Sequence, residues 1–151
     1  MDKNITDIYK SILELSWRFG NRGFNGECCG DLSLVEFMAL KKILEINEIT
    51  VQEIGNAINF TKSGASKIIG RLERKGYVKR MTSPVDGRVC CVLATEKGKD
   101  TITRIIENYT QYLNNVLNEL GAKDVDQIRE ALKMLVDAIQ KNQPPESITN
   151  I

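Results

Sequence analysis

The chain has 151 residues and 42% apolar content, enough to bury a core, and suits one domain or one compact domain with an extension. It carries 21 Lys and Arg against 20 Asp and Glu, four cysteines and no histidine, which removes a Ser-His-Asp or Cys-His nucleophile pair, any histidine metal ligand and a histidine pH switch. Neither common glycine-rich phosphate loop occurs, no apolar run approaches 18 residues, and Met1-Asp2-Lys3-Asn4 leads into an amphipathic pattern rather than a signal peptide, so the expectation is a cytoplasmic protein that is not an enzyme and uses no cofactor, metal or membrane.

The first predicted element is a helix with Ile5, Ile8, Tyr9, Ile12, Leu13, Ser16 and Phe19 in a stripe that Leu15 and Trp17 widen beyond one face. So broad an apolar surface asks for more than one neighbour, either core packing or a dimer partner. Residues Gly20 to Asp31 hold four glycines without periodicity and are expected to form a loop. Ser33-Leu34-Val35-Glu36 is a capping box: the serine oxygen takes a backbone N–H and the glutamate reaches back. It opens a helix with Val35, Phe37, Met38, Leu40, Ile43 and Leu44, after which Asn47 to Ile49 is a candidate short strand.

Thr50-Val51-Gln52-Glu53 repeats the capping box and starts a helix with Val51, Ile54, Ala57 and Ile58 on one face. Asn59-Phe60 interrupts it and Thr61 offers a new N-cap. From there Ala65, Ile68, Ile69 and Leu72 keep helical spacing. The opposite face carries Lys62, Ser63, Ser66, Lys67, Gly70, Arg71 and Arg74, side chains short or cationic enough to meet base edges and phosphates. Gly64 and Gly70 each weaken such a helix by roughly 1 kcal/mol relative to alanine, which fits either close approach to a partner or a cost that packing tolerates. Gly76 suits a C-terminal cap, and Tyr77–Met81 and Val89–Ala94 read as strands joined through Ser83-Pro84-Val85-Asp86-Gly87-Arg88, with its Asp-Gly turn signal.

That order predicts a mainly α fold with a small antiparallel β wing, a winged helix-turn-helix whose second helix (61–75) lies in the major groove while the wing (82–89) reaches the backbone or minor groove. Charge agrees: between Thr61 and Arg88 eight Lys or Arg face Glu73 and Asp86, a local charge of +6, which leaves −5 elsewhere. A basic reading head on an acidic body is the footprint of a selective binder of double-stranded DNA.

Beyond the wing, Thr95 caps a long helix with Ile102, Ile105, Ile106, Tyr109, Tyr112, Leu113, Val116, Leu117 and Leu120 on its apolar side, ending at Gly121. Asp124 and Gln127 start another, with Val125, Ile128, Ala131, Leu132, Leu135, Val136 and Ile139, which Pro144-Pro145 stops. Both are long for a small winged module to cover, and with the first helix they form a candidate intersubunit core. The expected division is residues 1–32 and 95–151 for dimerisation and 33–94 for DNA binding. The tail from Glu146 to Ile151 is expected to fray or to act as an exchanged arm.

The segment Arg71 to Val78 (R-L-E-x-K-G-Y-V), the wing residues Ser83, Pro84, Asp86 and Arg88, and the T-E-K-G run from Thr95 to Gly98 resemble the MarR family of bacterial transcriptional regulators. The resemblance is strong over about 45 residues, and the flanking helices match in length and position. It implies a homodimer that reads a pseudo-palindromic operator, most often as a repressor released by a small-molecule effector. Carried over by position, Arg88 enters the minor groove and Asp86 orients it, while Thr61, Lys62, Ser63, Ser66, Lys67 and Arg71 are the DNA-binding residues of the recognition helix. Ala94 departs from the leucine usual beneath the wing. The family's ligand cleft maps to Tyr9, Trp17, Phe37, Met38 and Tyr109, although aromatics at helical spacing more often serve as core.

The resemblance does not require Cys28-Cys29 or Cys90-Cys91. In a cytoplasmic protein the four are expected to be reduced, inert thiols, with Cys90 inward by family register; the competing reading is a thiol or soft-metal sensor. A further alternative is a winged-helix module that binds another protein rather than DNA.

Overall fold

The computed structural model describes residues 2–20, 27–82, 85 and 87–142, without the side chains of Glu27, Cys28, Val89 and Cys90. In chain order the elements are α1 (Lys3–Gly20), β1 (Glu27–Cys29), β2 (Leu32–Ser33), α2 (Leu34–Glu45), α3 (Val51–Ala57), α4 (Lys62–Arg74), β3 (Val78–Thr82), β4 (Val89–Ala94), α5 (Glu96–Leu117) and α6 (Ala122–Lys141). They fall into two compact units, Met1–Glu107 and Asn108–Ile151, and the division lies inside α5.

In the first unit, local signals start the helices where the sequence places them. Both capping boxes form: Ser33 Oγ accepts from the Glu36 N–H while the Glu36 carboxylate accepts from the Ser33 N–H, and Thr50 and Glu53 repeat the exchange. Thr61 Oγ1 caps α4 by accepting from the Gly64 N–H at 3.0 Å. The helix closes in a Schellman turn: Gly76, at φ +79°, donates to the Glu73 carbonyl and Tyr77 to the Leu72 carbonyl. Any other residue at Gly76 would carry a Cβ into that left-handed conformation.

The core of this unit lies where α2, α3 and α4 meet the wing sheet. Leu32, Leu40, Ile49, Ile54, Ile69, Leu72 and Val92 are its largest fully buried side chains. All four apolar positions of α4, Ala65, Ile68, Ile69 and Leu72, are buried. Covering each large aliphatic side chain contributes about 1.5 to 3 kcal/mol, so the stripe that fixes α4 also sets which face it presents outward. The wing is an antiparallel pair with Val78 opposite Ala94, Arg80 opposite Val92 and an irregularity between Met81 and Thr82. Ile49 adds a single antiparallel bridge to Val92, which is the extent of the third strand anticipated at Asn47 to Ile49. Gly98 is demanded by packing, because a Cβ there would fall onto the Tyr77 carbonyl where α5 leaves the wing.

Three expectations need correction. The loop from Gly20 to Asp31 contains structure: β1 pairs with β2 in a hairpin turned through Gly30, whose φ of +71° supplies the reversal that a short, unperiodic sequence hides. Gly121 does not end α5; that helix stops at Leu117, and Gly121 is the N-cap of α6, which begins at Ala122 rather than Asp124. The α5 terminus is closed instead by Asn118 and Leu120 N–H groups donating to the carbonyls of Asn114 and Leu117. Third, Cys29 is buried and disulfide-bonded where a reduced thiol is expected. The expectations for Ser83, Pro84, Asp86, Pro144-Pro145 and the tail from Glu146 lie outside the described residues.

Neither α1 nor α6 buries a residue within the chain. Tyr9 is 59% exposed and Trp17 67% exposed on α1, with Ile5, Ile8, Leu13 and Leu15 also open, so the stripe read from sequence is real but uncovered. In the second unit Tyr112, Leu113, Val116, Leu120, Ile128, Leu132, Met134, Val136 and Ile139 are likewise exposed.

Candidate nucleic-acid interface

The outward face of α4 forms an open groove of about 840 Å³ lined by Lys62, Ser63, Ser66, Lys67, Gly70, Arg71 and Arg74. These are the seven residues that helical periodicity assigns to the polar face. Hydroxyls sit toward the N-terminal end and cations run its length. Small donors and long cationic arms on one helical face match what the major groove presents, base edges between two rows of phosphates.

Thr61 is exposed but committed to the cap, and its role is to start the helix at the right residue. Arg71 has two roles. Its Nε donates to Glu36 Oε1 at 2.8 Å while the side chain remains 44% exposed, so it lines the groove and ties α4 to α2 at once. Arg88 is exposed, and Asp86, its expected partner in the wing, lies outside the described residues.

Sequence reasoning missed the polar cluster that holds α4 in place. Glu36 is 4% exposed at its side chain, and it accepts from Arg71 Nε, from Lys75 Nζ at 2.8 Å and from the Ser33 backbone at 3.0 Å. Burial pushes its carboxyl up, but the hydrogen bonds from Lys75, Ser33 and Arg71 outweigh that and hold it below its usual value. Lys75 Nζ also donates to the Asp31 carbonyl at 2.6 Å, and Tyr77 Oη donates to Asp31 Oδ1 at 2.6 Å. Desolvation, with the Asp31 carboxylate beside it, raises the Tyr77 phenol to about 12, so it stays a donor throughout the physiological range. Lys97 closes the cluster, donating to the Lys75 carbonyl at 2.6 Å with its ammonium 4.6 Å from the Tyr77 ring centre. The visible signal was Glu36, an acid in the capping box; its second task depends on a residue 35 positions away, which no local pattern reveals.

The residues proposed for a ligand cleft do not behave as core. Tyr9, Trp17 and Met38 are exposed, while Phe37 and Tyr109 are half-buried, and Tyr109 belongs to the second unit. Cys29 is buried on β1 and disulfide-bonded, which corrects the expectation of four reduced thiols: the β1–β2 hairpin orders a segment read as loop and carries Cys29 into the interior. Cys91 is a buried thiol, and the expected inward placement of Cys90 concerns a side chain outside those described. Among the described residues no group of three or more His, Cys, Asp or Glu is arranged to hold a metal ion, and no helix is long and apolar enough to cross a membrane.

Comparison with known proteins agrees with this geometry. Residues 32–90 match the model of the MarR family. The HTH-type transcriptional regulator MhqR of Bacillus subtilis (strain 168) is 26% identical over 102 residues, covering 68% of this chain and 70% of that protein. A MarR family protein from Bacillus stearothermophilus superposes with a TM-score of 0.77 at 23% identity, over 93% of this chain and 99% of the other. Streptococcus pneumoniae FabT, solved in complex with DNA, shares the fold with a TM-score of 0.65 at 18% identity, over 92% of this chain and 94% of the other.

Proposed function

We propose, from the premise that residues 32–90 are a MarR-family domain and the chain a transcriptional regulator with a DNA-binding fold, that it acts as a cytoplasmic homodimer on a pseudo-palindromic operator. The observation that carries the reading is the α4 groove: seven polar or small residues, four of them cationic, on the one face of α4 that the core leaves outward. Lys62, Ser63, Ser66, Lys67 and Arg71 act as recognition-helix contacts, Thr61 as their cap, and Arg88, oriented by Asp86, as the wing contact. The DNA complex of FabT, a protein of the same fold, supports the same mode of binding.

The uncovered apolar faces support the dimer. Helices with Trp17, Leu13, Ile128, Leu132 and Ile139 in water are costly alone, and a second copy with the same faces is a self-complementary cover. Two symmetric heads suit half-sites about 34 to 36 Å apart on one side of the duplex. Repression relieved by a small-molecule effector is the regulatory sign the resemblance implies, with Tyr9, Trp17, Phe37, Met38 and Tyr109 as the residues to examine for it. Footprinting of the DNA upstream of the protein's own gene tests the reading: two protected half-sites one helical turn apart are expected. An unprotected region, together with capture of a partner protein through α4, would favour the protein-interaction alternative.

One observation favours a thiol-responsive variant of this function. Cys29 is disulfide-bonded one residue from the Gly30-Asp31 turn, and Asp31 holds Lys75 and Tyr77 at the end of α4. Exchange with a dithiol reductant would open that bond by a two-electron reduction, converting it to two thiols while the reductant becomes the disulfide. DNA affinity compared before and after such reduction, in the wild type and Cys29→Ser, decides it; identical affinities in all states reduce the cysteines to packing.

A further inference from the structure

Four glycines lie within α3, α4 and α5, and three of them have a reason inside the protein. A Cβ at Gly55 would stand 2.8 Å from the Phe60 carbonyl oxygen, one at Gly64 would stand 3.2 Å from the Phe60 ring, and Gly98 meets the Tyr77 carbonyl. Gly70 has no such reason. Its added Cβ would meet nothing closer than two guanidinium nitrogens, Arg74 Nη1 and Arg80 Nη2, each at 3.9 Å. Gly70 occupies the middle of a recognition helix whose stability it lowers, at a position where alanine fits.

Two cations therefore point at a spot that carries no side chain. Arg80 reaches it from β3 and is fixed there, its Nε on Glu73 Oε2 at 3.2 Å and its Nη2 on the Ser66 carbonyl at 3.4 Å. Arg74 has no hydrogen bond or ion pair among the described residues and is exposed. Lys67 and Arg71 line the same groove. Glu73 takes the Nε hydrogen of Arg80 and the Ser66 carbonyl one hydrogen of Nη2, which leaves the second Nη2 hydrogen, on the atom nearest Gly70, for another acceptor.

Distance along the helix indicates what that acceptor is. Lys62 and Gly70 are eight residues apart, about 12 Å at 1.5 Å per residue, which is about the width of the major groove. If the N-terminal residues of α4 face base edges, Gly70 stands where the helix crosses the phosphodiester strand at the groove's edge. We infer that Gly70, Arg74 and Arg80 form a seat for one backbone phosphate, with glycine retained because a side chain would hold the duplex away from the two guanidinium groups. This deepens the DNA-binding reading and rests on it: it adds Arg80 to the interface and gives Gly70 and Arg74, which already line the groove, a specific task.

The test uses the full-length protein with Gly70→Ala and Gly70→Asp, measured by thermal melting and by anisotropy titration on the footprinted duplex and a random duplex at several salt concentrations. Gly70→Ala is expected to raise Tm by about 2 to 4 °C, as removal of an unneeded helix glycine should. The same variant is expected to weaken binding roughly tenfold on both duplexes, with the salt slope reduced by about one. Gly70→Asp, whose carboxylate would take the phosphate's place between Arg74 and Arg80, is expected to keep the fold and lose roughly a hundredfold. Wild-type affinity in Gly70→Ala overturns the seat, as does a lowered Tm, and a loss confined to the footprinted duplex replaces the phosphate with a base contact. A wild type that binds neither duplex fails the DNA reading itself, and the seat falls with it.

Discussion

Replacing Glu36 by glutamine keeps its shape and removes its charge. The carboxylate accepts from Arg71, Lys75 and the Ser33 backbone, and glutamine, with one acceptor oxygen, must turn an NH2 group toward at least one of these donors. A hydrogen bond to a charged group contributes about 1.5 to 3 kcal/mol, but water can re-solvate Arg71 and Lys75, at 44% and 30% exposed, and each loss is discounted accordingly. The net expectation is a destabilisation of about 2 to 3 kcal/mol, or a Tm lowered by about 5 to 10 °C at neutral pH. Because association would add to stability, both proteins must be melted at one protomer concentration. The sign with pH follows from the depressed carboxyl of Glu36. Its contribution is complete above the ordinary value of 4.5 and is lost as pH falls through the lower folded value, so the gap between wild type and Glu36→Gln narrows in acid. A difference under about 0.5 kcal/mol at pH 7, or a gap that persists undiminished in acid, would refute the claim that this carboxylate holds α4.

Gly98→Ala should behave oppositely to Gly70→Ala, since its methyl would meet the Tyr77 carbonyl; melting should show a loss of about 1 to 3 kcal/mol. Lys67→Ala, an exposed change on the α4 groove, should leave Tm within about 1 °C while weakening binding to all duplexes and lowering the salt slope by about one, as measured by anisotropy. Trp17→Glu combined with Leu132→Glu places charge on two exposed apolar faces; sedimentation should report monomers where the wild type reports dimers, and an unchanged dimer would move the interface elsewhere.

The winged module was legible in the sequence because its signals are local. Ser33, Thr50 and Thr61 announce three helix starts within four residues each, and the spacing from Ala65 to Leu72 separates the buried from the outward face of α4 without any tertiary knowledge. What escaped depends on residues far apart in the chain. Arg71 reads as a DNA contact from its place on the polar face, yet it also serves Glu36, and only folding brings α2 beside α4. Asp31 reads as part of a glycine-rich loop, yet it receives Lys75 and Tyr77 from 44 and 46 positions away. The β1–β2 hairpin is too short for alternation to appear in sequence, and Gly121 suits the end of one helix as well as the start of the next. The two glycines of α4 looked equivalent in sequence. Three dimensions separate them, Gly64 against the Phe60 ring and Gly70 against nothing but arginine tips.

Sequence-specific binding of DNA by α4 and the wing is what the proposed function requires. A salt titration of binding to the duplex upstream of the protein's own gene, with a random duplex as control, tests it most directly. Tight, salt-sensitive binding with a specificity ratio of at least about 10³ is expected. Equal and weak binding to both duplexes at every salt concentration would contradict it.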